Sequence, residues 1–257
     1  MKNLKERLRN GEMVIGTWNG IPSASVVNAI ASSGVDFIVI DSEHGPVSVE
    51  KAEDLVRACE ACGVDSIIRV SSNSADLILR ALDIGTKGVQ VPHVSTKEEA
   101  EHVVRCSKYY PEGERGYSPF TKAGNYGIKS SGHAKRSNEN TTVVLNIEGS
   151  EGLKNIKDIA SVRGIDVIFI GPYDLSQSLG KPGEVNDPEV IKGIRESVKI
   201  TKNKGVACGS FACDMKYMEL LIDCGVQYVT YMVDSALIAA TYKDIVNVFN
   251  AKKEIEG

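Results

Sequence analysis

The sequence has no long hydrophobic run. Its apolar stretches are short and broken by charge or glycine, which excludes a bilayer-spanning helix. It also has no block of one charge. Thirty Lys and Arg and thirty-four Asp and Glu are mixed along 257 residues, for a net charge of −4. Nothing there points to nucleic acid or to an anionic membrane. The opening stretch, Met1 to Leu8, lacks the apolar core of a signal peptide. It reads as a short amphipathic helix with Leu4 and Leu8 on one face. Without an export signal, the six cysteines are expected to be reduced thiols of a cytoplasmic protein. Cys59-Glu60-Ala61-Cys62 has redox or metal spacing, but no second pair accompanies it. It falls at the C-terminal end of a predicted helix, whereas thiolate is favoured at the N-terminal end, so a structural role is expected.

What is present is a strand-then-helix pattern repeated eight times. Strands are predicted at 13–18, 36–41, 66–70, 88–92, 142–147, 166–170, 206–211 and 228–233. Helical patterns occupy 23–33, 48–62, 74–84, 96–108, 152–161, 188–204, 214–224 and 235–250. Thr96 and Glu99 have capping-box spacing, and Asp187-Pro188 offers an N-cap followed by proline at the first helical position. Gly34, Gly63, Gly85, Gly205 and Gly225 follow predicted helices as C-terminal caps do. Eight such units argue for one closed (β/α)8 TIM barrel over residues 1–257. An open doubly wound sheet would want a glycine-rich phosphate turn after its first strand, and Thr17-Trp18-Asn19-Gly20-Ile21-Pro22 is not one. The spacing of strands stretches only between 88 and 142. The excess is a long loop at 111–140, with Tyr117, Phe120 and Tyr126, expected near an active-site mouth, its own or a neighbouring subunit's.

In such a barrel the C-terminal strand ends converge on one pocket. Strand 2 delivers Asp41, Glu43 and His44 directly after the apolar run 37–40. Strand 3 delivers Arg69, strand 4 Gln90 and His93, strand 5 Asn146 and Glu148, and strand 6 Asp174. Strands 5 and 6 should be neighbours about 4.8 Å apart, so Glu148 and Asp174 can reach one ion. Two carboxylates with water completing the shell suit Mg²⁺ or Mn²⁺ and leave room for a chelating substrate. The alternative is that each carboxylate caps a helix or pairs with a lysine. Arg69 is suited either to stabilising an oxyanion or to a structural pair with a barrel-mouth acid. His44 can act as acid/base near neutral pH or as a third metal ligand. His93 can line the pocket. His102 lies among charges on a helix, and His133 in the long loop.

Asp41-x-Glu43-His44-Gly45, Arg69, Asn146-Ile147-Glu148 and Gly171-Pro172-x-Asp174-Leu175-Ser176 occur in this order at strand ends. With Arg80-Ala81-Leu82-Asp83-Ile84-Gly85 and Gly88-Val89-x-Val91-Pro92, this closely resembles the HpcH/HpaI family of metal-dependent, pyruvate-forming aldolases, from about Met13 to Phe249. The resemblance implies Glu148 and Asp174 as ligands of a divalent metal ion (Mg²⁺, Mn²⁺ or Co²⁺), and Arg69 on the substrate's keto oxygen. It implies His44 as acid/base with Asp83 as its partner, and Asp41 as a further pocket acid. Asn146, Gly171, Pro172 and Tyr173 would line the 2-oxo acid site. A homo-oligomer is implied too, typically a hexamer in which the two barrels of a dimer exchange their last helix. Asn146 stands where glutamine is common, Tyr173 where a small residue is common, and Tyr231-Met232-Val233-Asp234 replaces a glycine-containing segment. These departures leave the aldehyde open.

The reaction implied is reversible cleavage of a 4-hydroxy-2-oxo acid to pyruvate and an aldehyde. No strand-end lysine stands out as a Schiff-base former. Decarboxylation of a 2-oxo diacid on the same metal-enolate chemistry is the nearest rival. A phosphate-handling barrel would want a glycine-rich anion site after strands 7 and 8. A non-catalytic barrel would have no use for Glu148, Asp174, Arg69 and His44 together.

Overall fold

The computed structural model describes residues 3–128 and 131–255. In chain order its elements are α1 (Leu4–Arg9), β1 (Val14–Asn19), α2 (Ala24–Ala31), β2 (Phe37–Asp41), α3 (Val49–Cys62) and β3 (Asp65–Arg69). Next come α4 (Ala75–Asp83), β4 (Gly88–Val91), α5 (Lys97–Ser107), α6 (His133–Asn140), β5 (Thr142–Ile147), α7 (Ser150–Ile159) and β6 (Val167–Ile170). The chain closes with α8 (Pro172–Ser178), α9 (Pro188–Asn203), β7 (Ala207–Ala212), α10 (Met215–Asp223), β8 (Tyr228–Val233) and α11 (Asp234–Ile255). The eight strands pair in parallel, each with its sequence neighbours, and β1 closes on β8. This is a (β/α)8 barrel, and each predicted strand lies within one residue of its observed ends. Thr96 and Glu99 form the expected reciprocal cap. The five predicted capping glycines all have φ between 70° and 94°.

The strands are apolar on both faces because both are covered. Ile38, Ile40, Ile68, Val89, Leu145, Ile147 and Ile170 face the helices. Phe37, Val39, Ile67, Val144, Val167, Phe169 and Tyr228 fill the barrel's interior. Large rings there require small neighbours. Phe37 and Tyr228 stack at 4.1 Å, and a Cβ on Gly16 would lie 2.4 Å from the Phe37 ring. The interior closes at the end where the strands begin. Leu4 and Leu8 of α1, the expected apolar pair, are buried against this inner cluster. Lys5 on the same helix is buried as well, 3.0 Å from Asp166, and donates to the Thr141 carbonyl at 2.8 Å.

Two helices, α6 and α8, were not legible as such. The 111–140 segment is not all loop, because 133–140 forms α6. Its sequence is almost wholly polar and carries no apolar period. Polar tertiary contacts hold it instead: the Asn138 side chain accepts from the Tyr109 N–H and donates to its carbonyl, both at 2.8 Å. His133, expected in a loop, is buried beside Tyr109 and Tyr117. The segment runs across the barrel's flank. Lys122 pairs with Glu60 at 2.7 Å, Tyr126 accepts from Arg57 at 2.9 Å, and the Ala123 N–H donates to the Asp83 carbonyl. All six cysteines are free. Cys59 is buried, and burial pushes its thiol up to about 12, which is consistent with a structural rather than reactive role. Among the described residues, no helix is long and apolar enough to cross a membrane.

Leu8 tests the closure of the barrel floor. Leu8→Ala should destabilise the fold by about 2–5 kcal/mol, the usual range for a buried leucine, read from the urea midpoint. An unchanged midpoint would show that α1 is not part of the core.

Candidate active site

Strand register sets the first pair of the site. Asp41 ends β2 opposite Arg69, which ends β3. Arg69 donates to both oxygens of Asp41, from Nε at 2.9 Å and from Nη2 at 2.7 Å. Its Nη1 lies 3.1 Å from Glu43, and the guanidinium sits 4.2 Å from the centre of the Trp18 ring. Burial raises the Asp41 carboxyl, but the Arg69 hydrogen bonds and charge outweigh it, and the group stays below the usual range. The Asp41 carboxylate also accepts from the N–H groups of Glu43 and His44, at 3.0 and 3.3 Å. It therefore shapes the loop that carries them.

Glu148 follows β5 directly and is only 7% exposed. One oxygen accepts from Asn146 at 2.8 Å, and Asn146 in turn accepts from Gln90 at 2.7 Å. The other oxygen takes the His93 backbone N–H at 3.2 Å and lies 2.9 Å from the His93 Nδ1. The far nitrogen of that ring is 3.2 Å from Glu43. A continuous polar belt thus runs from Gln90 through Asn146, Glu148, His93 and Glu43 to Arg69. His93 holds its place in the belt at φ 56°, a left-handed conformation that a histidine adopts only when its surroundings fix it. Gly171, beside Glu148 across the β5–β6 pair, leaves room for the carboxylate. A Cβ there would come within 2.8 Å of the Glu148 Cγ.

Asp41, Arg69, Glu148 and Asp174 line a cavity of about 550 Å³ at the barrel mouth, together with His44, Gly171, Pro172 and Tyr173. Asp174 is carried by α8, a helix begun by Pro172 at its first position. Burial pushes the Glu148 carboxyl up. The Asn146 hydrogen bond and His93 oppose that, and the charges of Asp174 and Glu43 add to it. A buried carboxylate crowded by others is a place for a cation. Among the described residues, no three His, Cys, Asp or Glu form a ready metal cage. The fit is therefore to two protein carboxylates, with water and a chelating substrate supplying the remaining oxygens.

Three expectations change. Asn146 is fully buried beneath Glu148 and does not line the cavity; its amide is engaged by Glu148 and Gln90. His93 does not line the cavity either, but grips a residue that does. Asp83 does not meet His44 within the chain. It ends α4, at the face where β4 begins, and pairs with the buried Arg115 at 2.6 Å. Among the described residues of 111–140, none lines the chain's own mouth cavity. Sequence reasoning left Glu43 without a role and expected His93 only as pocket lining, whereas the two meet in the belt beside Glu148. Their one signal was position: an acid and an imidazole each two residues past a strand end.

Residues 15–240 match the family model described as HpcH/HpaI aldolase/citrate lyase. The chain belongs to that family. It is 34% identical over 239 residues to a pyruvate aldolase of Rhizobium etli, covering 93% of this chain and 94% of the relative. It is 32% identical over 250 residues to a 2-keto-3-deoxy-L-rhamnonate aldolase of Escherichia coli K12, covering 97% and 93%. Among solved structures, the citrate synthase SbnG superposes with a TM-score of 0.88 at 33% identity, covering 98% of this chain and 99% of that one. Membership with such relatives makes this protein an aldolase-type carbon–carbon lyase.

The belt predicts a role for His93 that does not require it to touch substrate. His93→Ala should weaken Mn²⁺ binding by about tenfold or more, as loss of a group orienting a metal ligand does. Fluorescence or calorimetric titration of Mn²⁺ reads this directly, and unchanged affinity would reduce the His93 contact to a bystander.

Proposed function

We propose that the enzyme cleaves a 4-hydroxy-2-oxo acid reversibly to pyruvate and an aldehyde, with a divalent metal ion held by Glu148 and Asp174. The observation that carries the reading is the buried, cation-poor Glu148 beside Asp174, facing an arginine already locked in place. When bound, Mg²⁺, Mn²⁺ or Co²⁺ supplies Lewis acidity toward the carboxylate and keto oxygens of the 2-oxo acid.

The chain's own groups do the rest. Arg69 has five N–H donors. Two are directed at Asp41 and Nη1 lies 3.1 Å from Glu43, which leaves donors for the keto oxygen as charge develops there. Because Trp18 and two carboxylates hold the guanidinium, its donors need no reorganisation during the reaction. His44, exposed in the cavity wall, takes the proton of the C4 hydroxyl. The C3–C4 bond then breaks, its electrons pass into the enolate of pyruvate, and the aldehyde departs. Protonation at C3 completes pyruvate. A His44–Asp83 pair needs a second copy of the chain, since the two residues belong to opposite faces of one barrel.

A homo-oligomer fits the last helix as well. Ile238, Tyr242, Ile245, Val246 and Phe249 of α11 are exposed at helical spacing, forming an apolar stripe that a second barrel would cover. A solution mass by light scattering equal to one 27.7 kDa chain would refute this. The 34%-identical pyruvate aldolase supports the substrate class. The citrate synthase likeness shows that this barrel type also serves another carbon–carbon bond reaction. Decarboxylation of a 2-oxo diacid stays the rival, separated by whether aldehyde or CO₂ accompanies pyruvate.

Chelation by EDTA should abolish cleavage, and Mg²⁺, Mn²⁺ or Co²⁺ should restore it. His44→Ala should keep its metal yet lose about 10²–10⁴ of the cleavage rate, the range for a positioned acid/base. Full turnover in excess chelator, or a borohydride-trapped lysine adduct, would overturn the metal reading. A metal-replete His44→Ala protein with unimpaired cleavage would remove His44 from the reaction.

A further inference from the structure

The mouth cavity has two unlike walls. Glu148, Asp174, Arg69 and Asp41 make one; Trp18, Phe169, Phe211, Tyr173 and Val233 make the other. On the second wall, Tyr173 and Phe211 meet edge to face at 5.8 Å, and Trp18 and Phe169 do the same at 5.9 Å. Trp18 and Phe169 are buried and form the floor, whereas Tyr173 is 47% exposed and Phe211 half-buried. Tyr173 immediately precedes Asp174, so its ring stands next to the carboxylate assigned to the metal.

The indole N–H on this wall is committed elsewhere. The Trp18 indole N–H donates to the Thr230 hydroxyl at 2.8 Å. What these residues turn to the cavity is ring surface, with little to recognise the hydroxyls of a sugar-derived aldehyde.

Resting on the aldol reading above, we infer that the aldehyde half of the substrate carries a flat apolar substituent, aromatic or unsaturated, seated against Tyr173 and Phe211. These two residues set the specificity of the carbonyl partner. They hold the substituent; they do not touch the bond that breaks.

The test compares pyruvate addition to benzaldehyde, glyceraldehyde and succinic semialdehyde. Benzaldehyde should have the highest kcat/KM, by about tenfold or more, a usual margin for an apolar pocket. Tyr173→Ala and Phe211→Ser should each lower it about tenfold, mainly through KM, while changing the value for glyceraldehyde much less. A second readout is independent of turnover. Trp18, the chain's single tryptophan, lies in the floor, so its fluorescence should report saturable binding of benzyl alcohol but not of glycerol. Higher kcat/KM for glyceraldehyde or succinic semialdehyde, or equal losses with all three aldehydes in the variants, would overturn the inference. Saturable benzyl alcohol binding without pyruvate methyl-proton exchange in deuterated water would uphold the apolar subsite and refute the aldol reading instead. Absence of benzyl alcohol binding in a protein that exchanges pyruvate protons would do the reverse.

Discussion

The mouth of this barrel gathers more negative charge than its own cations offset. Asp41, Glu43, Glu148 and Asp174 stand around one arginine, and Glu148 is buried among them. Most local features of the site answer that crowding. Arg69 is gripped by two carboxylates and an indole face. His93 accepts a left-handed backbone in order to stand between Glu43 and Glu148. Asn146 and Gln90 relay hydrogen bonds beneath Glu148, so that neither of its oxygens is left without a donor. The remaining deficit is what a divalent cation and a chelating 2-oxo acid would fill. Two protein carboxylates would leave coordination positions on such an ion for substrate.

The same arrangement divides labour across the cavity. In the proposed reaction the acidic wall would fix the end of the substrate where the enolate forms. The aromatic wall offers ring surface, with the Trp18 N–H engaged by the buried Thr230 hydroxyl. Stabilisation at the keto oxygen would come from Arg69, a donor held in place before substrate arrives, where a preorganised group is most effective. His44 is different. It sits exposed on a loop whose backbone Asp41 holds, and the residue expected to orient it belongs to the opposite face of the barrel. Catalysis and assembly are therefore coupled in this reading: the apolar stripe of α11 and the separation of His44 from Asp83 both call for a second copy.

Much of this was legible in the chain itself. Runs such as Phe37-Ile38-Val39-Ile40 can only be strands covered on both faces, and capping glycines mark where helices stop. The abrupt switch to Asp41, Glu43 and His44 identifies the strand end that faces the site. What escaped had no local pattern. α6 is polar on every side and is held by Asn138 reaching Tyr109. α8 starts at a Gly-Pro pair that reads as a turn. Asn146 looked like a substrate contact because it lies at a strand end, yet inward-facing residues one layer lower are consumed by their neighbours. Asp83 was placed beside His44 by motif alone, although a helix end and a strand end on opposite faces cannot meet within one barrel.

The central claim is that Glu148 and Asp174 together hold a divalent ion. Calorimetric titration of Mn²⁺ into metal-free wild type, Glu148→Gln and Asp174→Asn tests it most directly. The account predicts one ion per wild-type chain. It also predicts loss of affinity by well over the roughly 10–100-fold typical of a merely supporting residue in each variant, with the circular dichroism spectrum unchanged. Three proteins of equal affinity, or a folded wild type that takes up no ion, would contradict it.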